Sequence, residues 1–131
     1  MSTSYTTQKP GLFTALSIIT LLSGILNIIY GLTVTALIVI GTIGIGLVCA
    51  PVTILPTILG IFEILYAVKL LSNPQLPVRF SQPIAILEIC CLLTGNILSA
   101  VAGILALVFY NDPSVQQYFN KISNPAAYAA Q

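Results

Sequence analysis

The stretch ILGIFEILYAVKLL, residues 58–71, holds one glutamate, Glu63, in a run that is otherwise apolar until Lys69 near its end. A second stretch, IAILEICCLL, residues 84–93, again sets a lone glutamate, Glu88, after an aliphatic pair. What surrounds these acids decides the class of protein. Of the 131 residues, 57% are hydrophobic and 5% charged, and the mean hydropathy is +1.04. A soluble domain carries about 25% charged residues. Runs of about 20 apolar residues, enough to cross a ~30 Å hydrocarbon core, fill the chain and leave no room for a soluble domain. The sequence therefore reads as an all-α integral membrane protein, a single transmembrane domain over residues 1–131.

The formal net charge of +1 arises from Lys9, Lys69, Arg79, Lys121, Glu63, Glu88 and Asp112. That is no basic footprint for nucleic acid, and no nucleic-acid partner is expected. Histidine is absent and Met1 is the single methionine, which removes the common axial ligands of haem and the commonest general base. Cys49, Cys90 and Cys91 form no C-x-x-C pair and lie in or beside apolar segments, so they read as small packing residues. No metal, no cofactor and no catalytic residue is expected, and with no nucleophile–base pair in view the chain does not read as an enzyme.

Four spans are expected, over about residues 11–30, 33–47, 52–71 and 83–110, forming a four-helix bundle. The first follows the polar head MSTSYTTQKP and lacks the small-x-small site that closes a signal peptide, so it reads as a retained span. Pro51 and Pro56 suit a helix start, which separates the second span from the third. An alternative reading makes those two a re-entrant pair, because the turn CAPVTILP is itself apolar. The only sizeable polar loop is SNPQLPVRFSQP, residues 72–83. After the fourth span, Asp112 is placed to cap a helix with Pro113 at its first position, and Val115, Tyr118, Phe119 and Ile122 recur at helical spacing. This predicts a short amphipathic interfacial helix over about 113–122. With an even number of spans, Lys9 and Lys121 lie opposite Lys69 and Arg79. The positive-inside rule then ties, and orientation is undetermined.

Helices in lipid approach closely through small and weakly polar residues. Ser17, Thr20, Gly24, Asn27 and Gly31 make one stripe down the first span. Cys91, Gly95, Ser99 and Gly103 repeat every fourth residue in the fourth, and Gly41 and Gly44 give the second a thin edge. Pro56, Gly60, Glu63 and Ala67 share a face of the third, with Tyr66 in reach to donate a hydrogen bond to Glu63. Both acids thus face inward. Counted from the 72–83 loop, Glu63 is about 13 Å and Glu88 about 9 Å deep, so the two carboxyls can meet on antiparallel neighbours. An ionised acid at a helix centre costs about 2.5–3.5 kcal/mol, so the pair is either a proton or cation site or a set of interhelical bonds that includes snorkelling toward Lys69 and Arg79. Asn27 and Asn96 read as interhelical hydrogen-bonding residues, and Tyr30, Tyr66, Phe80, Phe109 and Tyr110 as headgroup anchors.

The segment ILEICCLLTGNILSAVAGILALVFYNDPSVQQYF resembles the closing segment of a group of small prokaryotic four-span membrane proteins, through Gly95, Asn96, Ser99, Gly103, Asn111, Asp112, Pro113, Val115, Tyr118 and Phe119. The resemblance implies a bacterial or archaeal four-helix membrane protein and brings no activity with it. The expected function is assembly within the lipid bilayer, as an accessory subunit beside other membrane subunits or as the protomer of an array of its own copies. The alternative is a small oligomeric channel or proton/cation transporter using Glu63 and Glu88.

Overall fold

The computed structural model describes residues 9–72, 78–124 and 126. The polar head before Lys9, the middle of the 72–83 loop (73–77), and the chain's last residues apart from Ala126 lie outside the described residues. The helices are α1 (Gly11–Gly41), α2 (Ala50–Thr53), α3 (Leu55–Leu71), α4 (Gln82–Cys90), α5 (Ile97–Tyr110) and α6 (Pro113–Ser123). Tight 3-10 turns cover Ile45–Cys49 and Cys91–Thr94. Among the described residues there is no strand.

The four expected spans are drawn differently. Residues 11–30 and the start of 33–47 are one unbroken helix, α1. Gly31, which looks like a break, is instead where α1 lies against Thr57: a Cβ there would run into the Thr57 side chain and backbone. The chain turns at Thr42–Gly44 and comes back through the 3-10 turn, α2 and α3. Two stretches, Gly11–Gly41 and Ile45–Leu71, are long and apolar enough to cross a membrane. They pair antiparallel. Thr35 donates to Thr53 at 2.9 Å, Asn27 meets Glu63, and Lys9 donates to the Leu71 and Ser72 carbonyls at 3.3 and 3.2 Å.

The expected fourth span, 83–110, is also broken. Gly95 has φ +82°, a conformation that suits glycine, and Asn96 caps α5 by accepting the Ser99 amide at 3.2 Å. The chain reverses there. A Cβ on Gly103 would sit 2.6 Å from the Ala85 carbonyl oxygen and 2.8 Å from Glu88 Cβ, and Phe80 stacks on Tyr110 at 3.8 Å. Helices α4 and α5 are therefore an antiparallel hairpin. Each limb is about 20 Å long, short of a ~30 Å core, so the hairpin enters and leaves by the same end of the molecule. Tyr30 of α1 fastens its tip by donating to the Thr94 carbonyl.

The open end of that hairpin carries the apolar core. Phe13, Leu16, Leu70, Val78, Ala85, Ala106, Val115, Tyr118 and Phe119 form one buried cluster. Helix α6 turns 83° away from α5 and crosses this end. Asp112 accepts from the Ser114 amide at 2.8 Å and from its hydroxyl, and these donors hold the exposed carboxyl below its ordinary value. The predicted amphipathic helix thus forms, with a different use for its apolar face. Tyr118 and Phe119 meet Phe13 edge-on at 4.5 and 5.2 Å, so that face packs on protein rather than lipid.

Candidate functional site

The Gly24–Gly60 crossing sets the site. A Cβ on Gly24 would lie 2.8 Å from the Gly60 carbonyl oxygen, and one on Gly60 would collide with the Gly24 carbonyl. Without side chains there, α1 and α3 approach to backbone contact. In this antiparallel crossing Gly24 faces Glu63 and Gly60 faces Asn27, a Cβ on either glycine lying 3.0 Å from the Cβ of the residue it faces, so the Asn27 and Glu63 side chains reach each other. Its Nδ2 donates to Glu63 Oε1 at 2.8 Å, to Oε2 at 3.0 Å and to Ser99 Oγ at 3.1 Å. Its Oδ1 accepts from Asn96 Nδ2. One amide therefore joins α1, α3 and the tip of the α4–α5 hairpin.

Glu88 approaches from α4. Its carboxyl interacts directly with that of Glu63, and the Ser23 hydroxyl of α1 lies against both. Glu63, Asn27, Glu88, Asn96, Ser99 and Ser23 are all buried, none more than 5% exposed. Glu88 Oε1 and Ser23 Oγ make no hydrogen bond of normal geometry among the described residues. Neither acid meets a lysine or arginine side chain there. No family model, no curated protein and no solved structure matches the chain. The site is therefore read from its own geometry.

The structure brings together most of what the sequence singles out. Ser17, Thr20, Gly24, Asn27 and Gly31 are all buried on the inner face of α1, and Pro56, Gly60, Glu63 and Ala67 on that of α3. Ser17 and Thr20 turn their hydroxyls back to the Phe13 and Leu16 carbonyls at 2.8 and 3.0 Å. Of the ladder Cys91, Gly95, Ser99 and Gly103, the first and last two are buried, but Gly95 is exposed at the hairpin turn. Gly41 and Gly44 face open space.

Two expectations are corrected. Tyr66 does not serve Glu63: its hydroxyl donates to the Arg79 carbonyl at 2.9 Å and accepts the Ser81 amide at 3.1 Å, tying the start of α4 to α3. Nor do the acids snorkel to Lys69 and Arg79, because Asn27 supplies a nearer partner deeper in the bundle. Ser23 and Thr57 escape the sequence reading. Ser23 stands three residues after Thr20 and four before Asn27, so helical spacing carried the signal for it.

Proposed function

We propose that this protein works by helix–helix assembly in a prokaryotic cell membrane, as a small subunit of a larger membrane complex or the protomer of a homo-oligomeric array. One observation carries this reading: the far turn of the α1–α3 hairpin is apolar, exposed and longer than a membrane needs. Gly11–Gly41 and Ile45–Leu71 have 31 and 27 residues. At 1.5 Å per residue they run about 40–46 Å, roughly 10–16 Å beyond a ~30 Å core. Between residues 37 and 55 there is no charged or aromatic residue to anchor the excess in headgroups. Ile40, Ile43, Ile45 and Val48 are 77–94% exposed. A partner's apolar surface relieves this mismatch directly.

Ile43 offers a clean test. It is a β-branched residue at φ +53°, which asparagine tolerates better, so Ile43→Asn removes apolar surface without straining the turn. In mild detergent the native chain is expected at a mass well above 13.9 kDa, alone or with larger subunits, and Ile43→Asn together with Val48→Asn is expected to lower that mass while leaving the helix content unchanged. A native chain that is monomeric after gentle extraction removes the proposal.

The meeting of Glu63 with Glu88 favours a second reading, a small oligomeric channel or proton/cation transporter. Ion flux in proteoliposomes that falls in Glu63→Gln or Glu88→Gln supports it over assembly alone.

The fold also supports an orientation. Lys9 bonds the end of α3, Lys69 is in the last turn of α3, Arg79 precedes α4, and Lys121 is in the last turn of α6. With α4 and α5 returning to the same end, all four cations gather there and none lies at the far turn. By the positive-inside rule that end is cytoplasmic. With the exposed Cys49 and Cys90 changed to alanine, a Ser123→Cys chain is expected to take an impermeant maleimide in inverted vesicles and not in right-side-out ones.

A further inference from the structure

We infer that the Glu63–Glu88 pair is a binding site for one alkali-metal cation, taken up in exchange for one proton. Two carboxyls meet in a buried cluster with no basic side chain to neutralise them among the described residues. Two ionised acids at this depth cost about 2.5–3.5 kcal/mol each. Interhelical hydrogen bonds in membrane proteins average about 0.6 kcal/mol, so the bonds from Asn27 offset part of one such charge and not both. The pair is therefore neutralised locally, by its own protons or by a bound cation.

The hydrogen bonds divide the roles. Both oxygens of Glu63 accept from Asn27, the arrangement of a carboxylate. Glu88 Oε1 and Ser23 Oγ, both buried beside it, make no hydrogen bond of normal geometry among the described residues. These oxygens come from α1, α3 and α4, which meet at this cluster. Carboxylate and hydroxyl oxygens are hard ligands, suited to a hard cation. Calcium takes six to eight oxygens and magnesium keeps several waters, more than this cluster supplies, which leaves an ion of single charge.

The exchange balances. With both acids protonated the pair is neutral. Binding of one cation M⁺ releases the Glu63 proton to solvent, and the resulting carboxylate, the cation and the protonated Glu88 again sum to zero. Helices α1 and α5 contribute no titratable group to this position, α3 contributes Glu63, and α4 contributes Glu88. The Cys91 thiol, at the start of the 3-10 turn, is the third titratable group facing the pair. Cation uptake is separable from assembly, since it can fail while the native mass is unchanged.

The test uses the purified full chain in detergent, with sodium or lithium chloride replacing N-methylglucamine chloride at constant ionic strength. At mildly alkaline pH the expected result is release of about one proton per chain, read with a pH dye, and a thermal midpoint higher by several degrees. At acid pH both effects vanish, because protons outcompete the ion. Glu63→Gln is expected to abolish the release, Glu88→Gln, whose neutral amide stands in for an acid that stays protonated, to keep it at a higher ion concentration, and Asp112→Asn, at an exposed cap outside the cluster, to leave it unchanged. Should the glutamine variants not fold, infrared spectroscopy of the native chain decides, since the carboxylic-acid carbonyl band must weaken when sodium is added. Native protein with neither proton release, midpoint shift nor infrared change overturns the inference, as does loss of the release in Asp112→Asn.

Discussion

Gly60→Val is expected to prevent the α1–α3 hairpin from closing. A Cβ at position 60 would collide with the Gly24 carbonyl and lie 3.0 Å from Asn27 Cβ, and neither neighbour is the far end of a flexible side chain. Overpacking of a core ordinarily costs about 1–3 kcal/mol, and that range assumes side chains that shift. Here the backbones must separate, which places the loss at or above its upper end. Separation also draws Asn27 away from Glu63, so packing and hydrogen bonding fail together. Gly41→Ala is the matched control: nothing lies within 4 Å of a Cβ there, and alanine in a helix is favoured by about 0.5–1 kcal/mol. Unfolding in mixed micelles, followed by helix content against denaturing detergent, is expected to show the first variant unfolding far earlier than native and the second no earlier. Equal curves for Gly60→Val and native would mean that the crossing is not held by backbone contact.

This contrast also shows what can be read from one chain in lipid. The inner faces of α1 and α3 were legible, because small and polar residues at helical spacing have no reason to face hydrocarbon. Gly24, Asn27, Gly60 and Glu63 follow that logic and are buried. Span boundaries were not legible, because the signals that mark helix ends in water are ambiguous in a chain that is apolar throughout. Gly31 and Gly95 look alike in sequence. One packs inside a continuous helix, and the other takes a positive φ at a chain reversal. What separates them is the next residue: Asn96 is a helix cap and Leu32 is not. Splitting α1 into two spans set Lys69 and Arg79 opposite Lys9, and a straight 83–110 span set Lys121 opposite them, so the charge count tied. Sides follow from the path of the chain rather than from the residues themselves.

Asn27→Leu is expected to loosen the α4–α5 hairpin from the α1–α3 pair. The substitution fits the apolar surroundings in size, but it removes the one amide NH2 that serves Glu63 and Ser99 and the oxygen that accepts from Asn96. Each buried polar group left without a partner costs about 1–3 kcal/mol, so the carboxyl of Glu63 and the amide of Asn96 together set the loss at several kcal/mol. Removing the stranded partner should reverse part of it. Glu63→Leu in the same chain eliminates the carboxyl that Asn27 served, and replacing both members of a buried polar pair by apolar residues can be nearly neutral. The double variant is therefore expected to be more stable than the sum of the two single losses predicts, with a coupling of about 1 kcal/mol or more in a double-mutant cycle measured by the same detergent unfolding. Additive losses would show that Asn27 holds the helices through shape alone. A strong coupling would place the adhesion of this bundle in its polar centre, where small residues bring the helices close and one asparagine joins them.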